Sequence, residues 1–424
     1  MRPIHVILVM SVTAGPLVAQ IATSDRARQV ADDVRLLAAD SLQGRKTCQP
    51  GNESAARYLA DQLRRIGARP AGDSGTWFEH WVPGNTSGNR QAGIVGCTTA
   101  NVVGTIPGRG ALAGQVVIFG AHFDHQGTGP FGSLAPDSGQ IHNGADDNAS
   151  GTAALLEIAR VLRRDRMLRD ARPRRTLVFA LWSGEEEGSL GSAYYAAHLP
   201  MPKDSVLAYL NFDMVGRLRD GKVLILGVRT ATEWPALLDS ANQAAHLDLR
   251  GSGDGWGPSD HASFTPLKIP VLHFFTDTHA DYHRPTDDAD RINADGIVAV
   301  ADFAAELTRR LDRMHGPLTY VDLAPPAPAT GSSDRPRPSL GTIPDMSDEP
   351  GGVRISGVRA GSAAEAAGMR AGDVLIGIGT ATIANLQDFQ DALLAHSAGD
   401  RVEIRFKRGD QVIAVMVTLG GRAN

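Results

Sequence analysis

Two adjacent carboxylates, Asp146 and Asp147, sit between a glycine and a small-residue run in His142-Asn143-Gly144-Ala145-Asp146-Asp147-Asn148-Ala149-Ser150-Gly151. Alone, such a pair reads as a solvated turn. Upstream, Ala121-His122-Phe123-Asp124-His125 closes an apolar run; downstream come Glu185-Glu186-Glu187, then Asp213, then His283. Apart from His283, each follows a strand-like segment. Acids and imidazoles gathered at strand ends supply the mixed nitrogen and oxygen donors that a pair of divalent cations takes, zinc above all. His122 offers a nitrogen ligand, and Asp124, two residues on, can orient its ring. Asp146 can bridge two cations with its two oxygens, while Glu186, Asp213 and His283 complete two ligand sets. Glu185 is left over as a general base acting on an activated water.

The elements that must hold these groups read as alternating strands and helices. Continuous apolar runs predict strands at residues 98–107, 115–121, 176–182, 206–212, 223–226 and 271–275. Helical stripes fall in residues 24–66 (two helices), 149–168, 189–198, 235–245 and 294–314. This pattern predicts an α/β fold: a mainly parallel, mixed sheet covered by helices on both faces. Sites in such sheets lie at the carboxyl ends of strands, where His122, Glu185, Glu186 and Asp213 fall.

At 424 residues the chain is long enough for two domains. A net charge of −5 leaves no footprint for nucleic acid, and the arginine-rich run from Arg160 to Arg175 reads as the solvated, cation-rich end of a helix. Arg2, the apolar stretch Ile4 to Val12 and Leu17-Val18-Ala19 have the form of an export signal over residues 1–19. No later run is long enough to span a bilayer. The expected location is therefore the periplasm or the extracellular space, and in an exported chain the two cysteines, Cys48 and Cys97, pair naturally as a disulfide. Residues 322–338 form a Pro-rich linker between a domain at 20–321 and a unit at 339–421 with short strands and two helical pieces near Ala363–Ala367 and Leu386–His396.

Residues 25–315 resemble the co-catalytic dizinc aminopeptidases, metallopeptidase family twenty-eight. The matching motifs are Ala121-His122-Phe123-Asp124-His125, Asn143 to Gly151, Ser183-Gly184-Glu185-Glu186, Asn211-Phe212-Asp213-Met214, Ser259-Asp260-His261 and Tyr282-His283-Arg284-Pro285. The resemblance implies a zinc exopeptidase fold holding two Zn2+. His122 and Asp213 would bind one metal, Glu186 and His283 the other, and Asp146 would bridge them. Glu185 would be the base and Asp124 the partner of His122. It also implies a cis peptide at Asp146–Asp147. His142 stands where the family often has tyrosine. Asp260, His261 and His279 are expected to line the substrate pocket. The C-terminal unit resembles a bacterial PDZ domain, with Leu340-Gly341-Thr342-Ile343 as the loop that holds the carboxylate of a peptide's C-terminus. The reading is an exported zinc aminopeptidase acting on peptides. The alternatives are a carboxypeptidase using Arg217 or Arg284, a glutaminyl cyclase on the same fold, and an inactive PDZ peptide-binding protein.

Overall fold

The computed structural model describes residues 15–135, 138–167, 172–323, 337–344, 351–359, 361–384, 388–389, 392–393 and 395–422. Most of the expected export signal and all of residues 324–336 in the linker lie outside them.

Nine strands form the larger sheet: β1 (Arg69–Pro70), β2 (Phe78–Trp81), β3 (Thr99–Ile106), β4 (Val116–His122), β5 (Thr176–Trp182), β6 (Val206–Phe212), β7 (Lys222–Leu226), β8 (Asp248–Ser252) and β9 (Val271–Phe275). Their spatial order is β1-β3-β5-β4-β6-β9-β7-β8, with β2 also paired to β3. The centre, β5-β4-β6-β9, is parallel; β3 and β7 flank it antiparallel. The fold is therefore the mixed, centrally parallel sheet the apolar runs require.

The helices are α1 (Gly15–Leu37), α2 (Pro50–Ile66), α3 (Ser87–Ala92), α4 (Gly151–Met167), α5 (Leu190–Ala197), α6 (Trp234–Ala245) and α7 (Ala294–Arg313). Central strands bury both faces with a period of two. Val117, Phe119 and Ala121 of β4 join the core made with α1, α2, α4, α6 and α7, while Val116 and Ile118 join Trp182, Tyr195 and Phe264 on the other face. Each such large side chain contributes about 1.5–3 kcal/mol on burial. Local signals agree with the packing. Pro50 opens α2, Gly67 closes it in a left-handed conformation (φ 88°), and the Asn293 side chain caps α7 by accepting from Gly296 N.

Register sets the site. His122 pairs with Trp182 and Phe212 with Phe274, so β4, β5, β6 and β9 end level and release their following loops at one rim.

A second core, built from Leu340, Ile355, Leu375, Ile404 and Phe406 among others, belongs to the C-terminal unit. Its strands are β10 (Arg337–Ser339), β11 (Thr342–Pro344), β12 (Val353–Val358), β13 (Val374–Ile378), β14 (Ala381–Thr382), β15 (Arg401–Arg408), β16 (Gln411–Thr418) and β17 (Gly420–Arg422), with the short helix α8 (Ala363–Ala366). β11-β12-β13-β15-β16 form one sheet, with β14 on β13; β10 pairs with β17. Of the second expected helical piece, residues 388–389 and 392–393 are helical, and residues 386, 387, 390, 391 and 394 lie outside the described ones.

Cys48 and Cys97 are bonded, with Cα atoms 6.0 Å apart across a separation of 49 residues. Closing a loop of that size should stabilise the fold by about 2–4 kcal/mol. Reductant should lower the melting temperature accordingly, and thiol titration of the denatured, unreduced protein should find none. Two free thiols, or a melting point indifferent to reductant, would contradict this.

Candidate metal centre

Four strand-end loops bring six groups together. His122 closes β4, and Glu185 and Glu186 follow β5. Asp213 follows β6, and His283 lies in the loop after β9. The sixth group comes from the turn at residues 145–150, which opens α4, and it is Asp147. Asp147 Oδ1 lies 3.3 Å from His122 Nε2, and its Oδ2 lies 3.0 Å from His283 Nε2. Asp213 Oδ1 stands 3.3 Å from His122 Nε2, and Glu186 Oε2 stands 3.3 Å from His283 Nε2. Two donor sets thus share one carboxylate. Ligands at about 2.0–2.1 Å around a tetrahedral zinc stand about 3.3 Å from one another. On each side of Asp147 the imidazole-to-carboxylate spacings are of that order, and the nitrogen and oxygen chemistry suits zinc. Among the described residues, ligand atoms of His122, Asp147 and Glu186 lie within 4.8 Å of one another, a group that draws on both sets.

The charge of the cluster points the same way. Burial disfavours a charged His122, but the Asp213 and Glu185 carboxylates outweigh it and hold the imidazole well above its ordinary pKa. Burial likewise opposes ionisation of Asp147, yet its contacts with His122 and His283 keep it well below the carboxylate range. Glu185, buried with fewer partners, is pushed well above that range. Carboxylates packed this closely demand positive charge between them.

This geometry corrects the expected bridge. Asp146 is buried but faces away: its Oδ1 accepts from Gly216 N at 2.7 Å, and its Oδ2 lies 3.0 Å from His279 Nε2. The backbone at Asp147 is extended (φ −106°, ψ 93°), so neighbouring side chains point to opposite sides. The cis peptide shifts with it, to Asp147–Asn148 rather than Asp146–Asp147.

Supporting groups fix the donors. Asp146 N and Asp147 N donate to Asp287 Oδ2 at 2.9 and 3.1 Å, and Arg217 holds the other oxygen of Asp287 at 3.0 Å. Asn148 Nδ2 donates to Phe212 O, and Asn148 Oδ1 accepts from Met214 N, which ties the turn to the loop carrying Asp213. Ser259 Oγ donates to Asp213 Oδ2 at 2.8 Å. His125 Nδ1 lies 2.6 Å from Glu186 Oε1, and Gln126 Nε2 donates to Glu186 Oε2 at 3.1 Å. Arg45, wholly buried, donates to the carbonyls of Leu37, Phe123, Asn143 and Gly144. Of these supports, His125, Asn148 and Ser259 lie in motifs that the sequence marks. Asp287, Gln126 and Arg45 pair over distances that no local pattern marks.

Asp124 supports differently from the expectation. His122 Nδ1 faces the Asp124 backbone carbonyl at 3.2 Å, with the carboxylate at 3.8 Å. The carboxylate instead accepts from Glu185 N at 3.1 Å and Glu186 N at 3.3 Å. It therefore aims both glutamates. Glu185 Oε2 lies 4.0 Å from His122 Nε2, at the edge of the donors rather than among them.

Asp147, Glu186, Asp213 and His283 wall a cavity of about 950 Å3, which Glu185 and His279 also line. Asp260 and His261 do not line it. They start an inward-turned 3-10 turn, Asp260–Ser263, and both are fully buried. Burial raises Asp260 to about 7 and lowers His261 to about 3, and the His261 ring stacks on His273 with centroids 4.6 Å apart. Ser259, just before them, reaches the cavity instead. His142 is held in its own loop, with Nε2 2.7 Å from Ser133 Oγ.

Residues 101–308 match the profile of Peptidase family M28, and residues 338–419 match that of the PDZ domain. Leucine aminopeptidase 1 of Arthroderma otae is 34% identical over 267 residues, 56% of this chain and 67% of that protein. The chain belongs to peptidase family M28. Leupeptin-inactivating enzyme 1 of Streptomyces exfoliatus is 32% identical over 188 residues, 44% of this chain; the chain spans only 37% of that relative's length. A zinc aminopeptidase from Bacillus subtilis shares the fold at a TM-score of 0.51 and 16% identity, over 71% of this chain and 97% of that one. The M28 segment contains all six groups at the strand ends.

Two substitutions test the register of this M28 centre. Asp147→Asn should weaken zinc binding by more than the roughly 10–100-fold that loss of a supporting partner causes. Asp146→Ala should keep the zinc stoichiometry and lower stability by about 1–3 kcal/mol, because it leaves Gly216 N unsatisfied. Zinc titration and thermal melts read both. Loss of zinc from Asp146→Ala but not from Asp147→Asn would restore Asp146 as the bridge.

Proposed function

We propose that the chain is a zinc-dependent exopeptidase, an aminopeptidase that removes N-terminal residues from peptides and works with two zinc ions astride Asp147. His122 and Asp213 would hold one ion, and Glu186 and His283 the other. The observation that carries this is the shared carboxylate: one buried aspartate whose two oxygens face two separate imidazoles, each with a further carboxylate about 3.3 Å away. Zinc, when bound, supplies Lewis acidity to the scissile carbonyl and to the attacking water.

The chain's own groups do the rest. Glu185 is carried on the loop that Asp124 fixes, and its Oε2 points toward His122 from the cavity wall. It takes a proton from the attacking water as the water oxygen joins the carbonyl carbon. It returns that proton to the amine nitrogen as the C–N bond breaks. Burial lifts its proton affinity, which suits a base that must hold a proton briefly and give it back. Arg217 is engaged by Asp281 and Asp287, at 3.3 and 3.0 Å, and so is not presented to a substrate carboxylate as a carboxypeptidase would need. Residues 1–19 would direct export. No helix among the described residues is long and apolar enough to cross a membrane.

Glu185→Gln should retain both zinc ions and lose about 10²–10⁴-fold in kcat, with a much smaller change in KM. A panel of aminoacyl anilides, N-blocked dipeptides and N-terminal glutaminyl peptides should show cleavage of the first class only. Turnover of the blocked dipeptides would favour a carboxypeptidase, and cyclisation of the glutaminyl peptides a cyclase. Full activity in Glu185→Gln would remove it as the base.

A further inference from the structure

The cavity at the metal centre continues into the C-terminal domain. Its lining runs from Glu185 and His283 at one end to Gly341, Thr342, Phe389 and Leu393 at the other. Thr278 Oγ1, in the loop that leads to His279 and His283, donates to Pro344 O at 3.3 Å. β11 thus begins at the Leu340–Gly341 turn and ends beside the loop that carries His283.

That strand and turn have the chemistry of a peptide end-binding site. β11 is the edge of its sheet, paired only with β12 among the described residues, so its other side can accept an extended segment. Gly341 has φ 79°, and a Cβ there would stand 2.2 Å from the Ser362 Cβ, so the turn requires glycine. The carbonyls of Leu340 and Gly341 accept from Ala364 N and Arg359 N, both at 2.8 Å. The Leu340 and Gly341 N–H groups donate to no group among the described residues. Adjacent N–H groups whose carbonyls are turned away make an anion-binding concavity. Phe389 and Leu393 add an apolar wall, and Arg284 and Arg359 bring positive charge to the lining.

We propose that this cavity binds one short peptide by both ends. The free amine sits at the metal centre around Asp147. The C-terminal carboxylate sits at the Leu340–Gly341 turn, and the backbone between them pairs along β11. The substrate class is then short peptides with a free C-terminus, and the C-terminal domain sets their length. A volume of about 950 Å3 lies near the top of the roughly 300–1,000 Å3 range of ligand pockets, room for a few residues rather than a long chain. This rests on the peptidase reading above.

The test uses the full chain loaded with zinc, an aminoacyl anilide, and peptides of increasing length, each as free acid and as C-terminal amide. Within one window of short lengths, the acid should exceed the amide by roughly tenfold or more in kcat/KM, carried by KM, as expected for hydrogen bonds to a charged group. The ratio should fall toward one in longer peptides. Leu393→Asp, which puts a negative charge on the wall of the groove, should bring it toward one at every length. If that variant does not fold, the acid-to-amide comparison in the unaltered chain decides by itself. Cleavage of the anilide with acid and amide equal at all lengths would overturn the proposal and leave the peptidase reading standing. An acid preference that persists in long peptides, or survives Leu393→Asp, would also overturn it and point to a docking site for separate chain ends. No cleavage of any substrate would remove the peptidase reading and this proposal together.

Discussion

A carboxylate with both oxygens committed to different imidazoles is the constraint on which the centre depends. Asp147 is buried between His122 and His283, with Asp213, Glu185 and Glu186 close by. Desolvation makes each of these charges expensive, and nearby like charges add to it. Such a cluster persists only if positive charge stands between the acids and if the backbone under each acid is held without freedom to relax. The parallel strands meet the second need. Because β4, β5, β6 and β9 end in register, a shift of one strand would displace a donor by about 3.3 Å, a whole ligand spacing.

The turn bearing Asp147 is held by a separate web. Asp287 takes two successive N–H groups of the turn, and Arg217 balances Asp287. Asp146 and Asn148 reach forward to the loop around Asp213, and Ser150 Oγ accepts from Val215 N at 3.0 Å. Arg45 ties four carbonyls of three segments from one buried point; burial lowers it only to about 10, so it stays charged at neutral pH. The side chains flanking Asp147 thus serve geometry, while Asp147 faces the cavity.

Much of this was legible because the physics was local. Strands buried on both faces read as apolar runs, and β4, β5, β6 and β9 lie where those runs fall. Chemistry at strand ends follows from the same runs, which is why the sequence points to His122, Glu186 and Asp213, whose side chains the structure brings close to Asp147 or His283. The edge strands β2 and β8 escaped, since they are short and partly exposed and carry no apolar run. The choice between Asp146 and Asp147 was not legible. Two adjacent acids differ only in which way the backbone turns them, and partners about 140 residues distant decide that turn. Asp260 and His261 were misplaced for a related reason: spacing puts them near the site, but the 3-10 turn folds them inward, behind Ser259.

The shared carboxylate can be seen directly. Crystals of the full chain grown with zinc, measured on both sides of the zinc absorption edge, should show two anomalous peaks per chain. One should lie between His122, Asp213 and Asp147, the other between His283, Glu186 and the second oxygen of Asp147. A single peak at saturating zinc, or two peaks bridged by Asp146, would contradict the account.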